Sequence, residues 1–139
     1  MNVQRPAPSP LDRYRSRMLS AVRSTGNRST ELRMAGILRK LGLSGWRRHQ
    51  PLPGRPDFAW RRERVALFVD GCFWHGCPRC YSAPKHNGSF WARKLAENTA
   101  RDRRVNAELR RAGWRVIRVW ECRVDSASTR QRLLKMLGR

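Results

Sequence analysis

The stretch from Val65 to Cys80 constrains the fold of this chain more than any other part of the sequence. It begins with the unbroken apolar run Val-Ala-Leu-Phe-Val, which is typical of a strand buried on both faces, and the run stops at Asp70. Three cysteines, a histidine and two large aromatic residues then follow within residues 72–80. A packed core does not need such a density of reactive groups, so this stretch predicts a metal site beside a reaction centre.

The cysteines predict a structural zinc site. Cys77 and Cys80 form a Cys-Pro-Arg-Cys tetrapeptide, Cys72 precedes it, and Cys122 is distant in sequence. Four thiolates satisfy a closed tetrahedral Zn²⁺, and Cys-x-x-Cys is a recurrent zinc-binding spacing. The alternatives are a redox pair or free thiols. A redox pair needs a helix that starts directly after a strand, whereas we expect loop on both sides of this tetrapeptide.

The charge of the chain points to a polyanionic partner. The 139 residues carry 31 Lys and Arg against 10 Asp and Glu, a formal net charge of +21. Nucleic acid is the commonest polyanion, and a basic ribosomal or membrane-surface protein is the alternative. Arg predominates over Lys, and six Trp are interleaved with the arginines, which favours contacts with phosphates and bases. Because the sequence shows neither an apolar run of about 20 residues nor a signal-peptide core, we expect a soluble, cytoplasmic protein. We also expect it to be nucleoid-associated and monomeric.

The order of the predicted elements indicates the fold class. We expect a flexible arm over residues 1–10 and a single domain over residues 11–139. Its predicted elements are helices over 12–23 and 30–41, three strands between 46 and 69, a helix from a Ser89 cap to Ala112, a strand over 114–120, and a final helix to Leu137 capped by Ser126 or Ser128. A strand that follows a long helix can pair in parallel with the strand before it. The sequence therefore predicts an α/β domain with a mixed sheet and helices on both faces.

Asp57 is predicted to lie beside the reactive segment. A hairpin around the polar turn 61–64 would place Asp57 across from Phe68 and Val69, close to Asp70 and His75. A lone Pro-Asp pair is more often part of a turn. In this position its carboxylate could hold Mg²⁺.

His75 and Asp102 complete a set suited to phosphodiester hydrolysis. Because four cysteines saturate the zinc, the imidazole of His75 is available for proton transfer. Asn98 and Asp102 fall on the apolar stripe of the long helix, together with Trp91, Leu95 and Ala112. Asp102 could therefore orient His75 or form a structural salt bridge. A hydrogen bond within the loop is the alternative for His75. Glu31 lies in the first turn of the second helix, and the residues alone favour a contact with the helix dipole over a role in the site.

Several short motifs together resemble the Vsr family of very short patch repair endonucleases. They are Pro-Gly-Arg-Pro-Asp-Phe at 53–58, Gly-Cys-Phe-Trp-His at 71–75, Phe-Trp at 90–91, Asn98, Arg-Asp-Arg-Arg at 101–104, Gly-Trp-Arg-Val at 113–116 and Val-Trp-Glu-Cys at 119–122. The likeness covers roughly residues 12–123. It implies a restriction-endonuclease-like fold with a structural zinc. It also implies Mg²⁺-dependent nicking of DNA on the 5′ side of the thymine in a T·G mismatch.

The resemblance also implies residue roles. These are Asp57 as the metal-binding aspartate, Val69 as the donor of a backbone carbonyl to the metal, His75 as the catalytic histidine, Asp102 as its supporting carboxylate, Glu31 as a glutamate near the site, and Phe73, Trp74 and Trp91 as aromatics that wedge into the base stack. Three positions depart from the family pattern, since Val69 replaces Thr, Asp70 replaces His, and Cys77 replaces a zinc-binding His. Asp70 adds a carboxylate that could also bind Mg²⁺.

The sequence thus predicts a Mg²⁺-dependent endonuclease that nicks double-stranded DNA at T·G mismatches. One alternative is a nicking or restriction enzyme of the same fold that recognises another sequence or a DNA modification. A second is a non-catalytic, zinc-stabilised nucleic-acid-binding module, which would not require Asp57, His75 and Asp102 together. Mismatch-repair or restriction-modification proteins are possible partners.

Overall fold

A computed structural model of the protein describes residues 28–138. Its elements are α1 (Arg28–Lys40), β1 (Arg47–Arg48), β2 (Phe58–Trp60), β3 (Val65–Asp70), α2 (Cys72–His75), α3 (Gly88–Arg111), β4 (Arg115–Trp120), a 3-10 turn (Glu121–Arg123) and α4 (Ala127–Leu137). The predicted arm over residues 1–10 and the predicted helix over residues 12–23 lie outside the described residues. The division into an arm and a single domain therefore stays a prediction.

The four strands form one mixed sheet in the order β1-β2-β3-β4. Strand β2 is antiparallel to both β1 and β3, and Phe58 pairs with Leu67. Strand β4 runs parallel to β3, with Val65 opposite Arg115 and Asp70 opposite Trp120. The predicted hairpin around residues 61–64 and the parallel pairing through the long helix are both confirmed. Because β3 and β4 are parallel, they end at the same edge of the sheet.

Helices cover both faces of the sheet, as predicted. All six residues of β3 are buried, and their side chains alternate between two apolar clusters. Val65, Leu67 and Val69 pack in the cluster that α1 and α4 complete. Ala66 and Phe68 pack against α3 in the second cluster. The protein has a mixed α/β architecture whose central strand is buried on both sides.

The buried faces of α1 and α3 differ in part from the predicted ones, which included Ala112 in α3 and, for α1, Leu32, Ala35, Ile37, Leu38 and Leu41. Leu32 is 52% exposed, whereas Met34, which we did not predict to be buried, is completely buried. Met34, Ala35 and Leu38 define the buried face of α1, and Leu32 lies outside that face. Ala112 is exposed because it lies at the C-cap of α3, beyond the last turn that packs on the sheet.

Two further predictions about local structure are wrong. Helix α3 begins at Gly88 after the N-cap Asn87, so Ser89 is not its cap. Asn87 has a φ of 57°, a left-handed conformation that Asn tolerates better than most residues. The segment after β3 is not all loop, since Cys72–His75 form the one-turn helix α2. None of the helices within residues 28–138 has the length and apolar character that crossing a bilayer requires.

Candidate active site and zinc centre

The four cysteines converge at the edge where β3 and β4 end. Cys72 opens α2 directly after β3, Cys77 and Cys80 follow it, and Cys122 lies in the 3-10 turn after β4. All four Sγ atoms lie within 4.8 Å of one another. The parallel pairing of β3 with β4 therefore joins parts of the chain that are distant in sequence.

The thiol geometry fits a tetrahedral zinc ion. Zn–S bonds of about 2.3 Å in a tetrahedron place the sulfurs about 3.8 Å apart. The Sγ atoms of Cys77 and Cys122 are 3.7 Å apart, far longer than the roughly 2.05 Å of a disulfide. The side chain of Glu121 also connects the two strand ends, because its Oε1 accepts the N–H of Cys72 at 2.9 Å.

Asp57 is buried at the start of β2, beside the end of β3. Its Oδ2 accepts the backbone N–H of Val69 at 2.7 Å, as the predicted hairpin requires. Burial raises the pKa of Asp57 to about 7; the hydrogen bond from Val69 lowers that pKa, and the neighbouring Glu31 raises it. Among the described residues, Asp57 Oδ1 has no hydrogen-bond partner.

Glu31 faces the same position from α1. It is 3% exposed, so its carboxylate is buried close to Asp57 and does not only complement the helix dipole from the surface. Arg48 donates to its Oε2, and His49 Nε2 lies 3.5 Å from the same oxygen. Its Oε1, like Asp57 Oδ1, is buried without a partner among the described residues. Glu31, His49 and Asp57 can direct one ligand atom each to a common point, a group in which sequence reasoning missed His49.

The unpartnered oxygens of Asp57 and Glu31 fit a divalent cation. Mg²⁺ prefers carboxylate and carbonyl oxygens, and a cation would compensate the burial of these carboxylates. Val69 contacts Asp57 through its backbone N–H, so its carbonyl belongs to a residue next to the Asp57 carboxylate. This agrees with the role that the resemblance implies for the Val69 carbonyl as a metal ligand. The chemistry of this donor set thus suits Mg²⁺, whereas the thiol set suits Zn²⁺.

His75 and Asp102 are brought together as predicted. Nδ1 of His75 is hydrogen-bonded to Asp102 Oδ2, and Nε2 lies 3.9 Å from Asp70 Oδ1. Burial alone would lower the pKa of His75, but the hydrogen bond to Asp102 and the charges of Asp70 and Asp102 outweigh it and raise that pKa. Asp57, Asp70, His75 and Asp102 line one cleft.

One face of α3 carries three polar residues, Asn98, Asp102 and Asn106, which we call the α3 polar row. They are four residues apart, so they lie on the same side of the helix. Asn98 donates to the backbone carbonyl of Trp74 at 3.1 Å. Asp102 binds His75, and Asn106 accepts from Arg118 Nε at 2.8 Å. The helix stripe itself predicted Asn98 and Asp102; Asn106, one turn further on, was missed although the same spacing indicates it.

Arg118 is the third residue of the site that sequence reasoning missed, after His49 and Asn106. It lies on β4 opposite Phe68, and its Nη1 donates to Asp70 Oδ1 at 2.8 Å. Alternation along β4 places Arg118 on the same face as Val116, toward α3, and that was the available signal.

The aromatic residues form a cluster next to α2. Phe73, Trp74 and Trp91 are in mutual edge-to-face contact, with ring centroids 5.3–6.4 Å apart. Trp74 and Trp91 are 9% and 3% exposed, whereas Phe73 is half-buried. The three rings are therefore not exposed together, and Phe73 is the member of the set that is accessible.

Comparison with known proteins places this site in a family. The sequence profile described as DNA mismatch endonuclease Vsr matches residues 11–81, which include Asp57, His75 and three of the cysteines. The chain belongs to the Vsr family. It is accordingly a DNA nicking endonuclease, and the alternative of a non-catalytic binding module is set aside.

Vsr relatives also match beyond the region of the profile. The type II nicking enzyme V.NaeI of Lentzea aerocolonigenes is 41% identical over 119 residues, which are 82% of this chain and 71% of that protein. The DNA mismatch endonuclease Vsr of Escherichia coli is 40% identical over 110 residues, 78% of this chain and 69% of that protein. The type II nicking enzyme V.XorIIP of Xanthomonas oryzae is 37% identical over 123 residues, 86% of this chain and 89% of that protein.

Proposed function

We propose that this Vsr-family enzyme nicks double-stranded DNA at T·G mismatches and hydrolyses the phosphodiester on the 5′ side of the mispaired thymine, with Mg²⁺ as cofactor. The observation that carries the chemistry is the cleft that Asp57, with its unpartnered oxygen, lines together with the His75–Asp102 pair. The mismatch specificity is supported by the family description and by the relative that is named a DNA mismatch endonuclease.

In this proposal Asp57 and the backbone carbonyl of Val69 hold Mg²⁺, and Glu31 supports them from α1. Mg²⁺, when bound, neutralises charge on the scissile phosphate and lowers the pKa of a bound water. Asp70 remains a predicted further ligand, although its Oδ1 is already bound by Arg118. Cys72, Cys77, Cys80 and Cys122 hold the structural Zn²⁺ that fixes α2 against the end of β4.

His75 is proposed to move the proton, and Asp102 to hold His75. Because Asp102 accepts the hydrogen bond at Nδ1, the imidazole keeps Nε2 for proton transfer in the cleft. Asp102 also favours the positive charge that His75 carries after taking up a proton.

Recognition is proposed to involve the aromatic cluster, with Phe73 entering the base stack while Trp74 and Trp91 support it. An inserted side chain costs about a few kcal/mol of unstacking, and a mispaired step is easier to open than a matched one. The basic surface supplies affinity for the DNA backbone. We place the enzyme on DNA in the cytoplasm as a monomer, with mismatch-repair or restriction-modification proteins as candidate partners.

A nicking enzyme with another specificity is the second candidate. V.NaeI and V.XorIIP, at 41% and 37% identity, are both named type II nicking enzymes. A chain of the same fold could therefore nick a different sequence context or a modified site.

Labelled duplexes distinguish these candidates. Matched and T·G-mismatched duplexes are incubated with the protein in Mg²⁺ or in EDTA, and we expect a single nick on the 5′ side of the mispaired thymine only with Mg²⁺. Nicking without preference for the mismatch would support the second candidate instead.

The same assay tests the active-site assignment. Asp57→Ala should abolish nicking while the Kd for DNA stays unchanged, because the basic surface binds independently of Asp57. Asp125→Ala, which removes an exposed carboxylate paired with Arg33, is the matched control and should nick at the parental rate. An Asp57→Ala protein that nicks at the parental rate would show that the assignment is wrong.

A further inference from the structure

Arg118 occupies an unusual position for an arginine in a sheet. Its side chain leaves β4 on the α3 face, and the guanidinium carbon lies 4.1 Å from the centre of the Phe68 ring. The side chain is only 19% exposed. A guanidinium stacked on an aromatic ring is favourable, since it keeps its planar donors free for contacts at its edges.

The edges of this guanidinium contact three side chains from two elements. Nη1 donates to Asp70 Oδ1 at 2.8 Å and lies 3.6 Å from Asp102 Oδ1. Nε donates to Asn106 Oδ1 at 2.8 Å. Asn106 is the last member of the α3 polar row, so Arg118 is fixed by the same helix face that presents Asp102.

These contacts bring a positive charge next to the two carboxylates that flank His75. Asp102 is hydrogen-bonded to Nδ1 of the imidazole, while Asp70 Oδ1 lies 3.9 Å from Nε2. Without a cation between them, the buried carboxylate of Asp70 and the partly buried carboxylate of Asp102, which flank one imidazole, repel each other. Asp70 would then be drawn to Nε2, the nitrogen that proton transfer requires. Arg118 holds Asp70 at 2.8 Å and lies beside Asp102, so it offers both carboxylates a positive partner.

We propose that Arg118 is a positioning residue for DNA nicking: it binds Asp70 and orients Asp102, and thereby keeps Nε2 of His75 available in the cleft. The inference rests on the proposed roles of His75 and Asp102. It also gives Asp70 a role as the partner of Arg118 in place of a role as a Mg²⁺ ligand. A direct contact between Arg118 and a DNA phosphate is the competing explanation, and the burial of the guanidinium and its three contacts argue against it.

Single-turnover kinetics separate positioning from DNA binding. Arg118→Met should lower the single-turnover nicking rate on the order of 10- to 100-fold, because a small misplacement of a catalytic group can cost about 10²-fold. The Kd for DNA and the zinc content should stay at parental values. Arg115→Met is the matched control: Arg115 lies on the same strand but is exposed, and its rate should not change. A weaker affinity for DNA with an unchanged nicking rate would identify a phosphate contact and overturn the proposal. A parental nicking rate together with a parental Kd would overturn it as well.

Two further variants test the contacts themselves. Arg118→Lys keeps the charge but loses the planar fork, so it should nick at a rate between those of the parent and Arg118→Met. If Arg118→Met does not fold, Arg118→Lys takes its place, and a parental rate for Lys overturns the proposal. Asp70→Asn combined with Arg118→Met should be no slower than the slower single variant, because both act through one contact. A raised Mg²⁺ requirement in Asp70→Asn would instead identify Asp70 as a metal ligand and contradict the role given to it here.

A readout without DNA distinguishes failure of this proposal from failure of the proposed function. The hydrogen-bonded Nδ1 proton of His75 should give a downfield NMR signal in the parent, identified by its loss in His75→Gln. Arg118→Met should broaden or remove that signal in a folded, zinc-loaded protein, and Arg115→Met should not. An unchanged signal would overturn the positioning role. A parent that shows the signal but does not nick any duplex would instead contradict the proposed function.

Discussion

A buried carboxylate without a counter-ion is costly at the scale of a single residue, and Asp57 shows this cost in its pKa. Burial raises the pKa of Asp57 from 3.8 to about 7. The folded protein without Mg²⁺ therefore favours the protonated form. The stability that this provides is fully present below pH 3.8 and is lost as the pH rises through about 7.

Asp57→Asn should accordingly stabilise the zinc-loaded, Mg²⁺-free protein at pH 8 but not at pH 4. The side-chain amide of Asn stays uncharged at both pH values, and its oxygen can still accept the N–H of Val69. A shift of this size corresponds to about 1–4 kcal/mol in the free energy of unfolding. Urea denaturation at both pH values measures it, with Asp125→Asn as the exposed control. A variant whose advantage over the parent is the same at pH 4 and pH 8 would contradict the cause given for the pKa.

At the scale of elements, the four-cysteine cluster joins the ends of two parallel strands. Cys72 follows β3 and Cys122 follows β4, so the proposed zinc would close the edge of the sheet at which α2 presents His75. Metal binding in such a site contributes directly to the free energy of folding.

Cys122→Ser should therefore lose zinc and unfold at a lower temperature than the parent, and its nicking rate should fall with it. Elemental analysis of protein prepared without chelator should find about one Zn²⁺ per parent chain, and thermal unfolding followed by circular dichroism measures stability. Removing zinc from the parent with a chelator should reproduce the effect. A parent with four free thiols, no zinc and an unchanged unfolding temperature would exclude the structural role.

The elements that the sequence predicted well carry strong local signals. The apolar run of β3 and the Asp57 hairpin were predictable because burial on two faces and a polar turn are both local patterns. Helix α2 was not predictable, since a one-turn helix has no periodicity. The contact between Arg118 and Asp70 depends on strand register, and the burial of Trp74 and Trp91 depends on the packing of α2 against α3. Neither leaves a pattern in a single sequence.

At the scale of the whole molecule, the net charge of +21 should dominate DNA affinity. The arginines on the outer side of α3 are exposed to solvent: Arg93, Arg103, Arg104, Arg110 and Arg111. Contacts with phosphates release counterions, so affinity falls steeply with salt.

For the inactive Asp57→Ala protein, we expect the Kd for matched DNA to rise on the order of 10³- to 10⁵-fold between 50 and 200 mM salt, as for proteins that contact 6–10 phosphates. Fluorescence anisotropy with a labelled duplex measures it. Replacing two exposed arginines of α3, such as Arg103 and Arg104, by Gln should make the slope shallower, whereas Arg115→Gln is the control on another element. A Kd that is insensitive to salt would contradict a binding surface made mainly of phosphate contacts.

The spacing of the α3 polar row limits how this enzyme can vary in evolution. An α-helix turns by about 100° and rises by about 1.5 Å per residue. Inserting or deleting one residue between Asn98 and Asp102 would rotate Asp102 and Asn106 away from His75 and Arg118 in a single step. Replacing an exposed arginine of the same helix disturbs none of these contacts. Homologous enzymes that share this site should therefore differ freely in sequence on the outer side of the helix, but not in the number of residues between its polar positions.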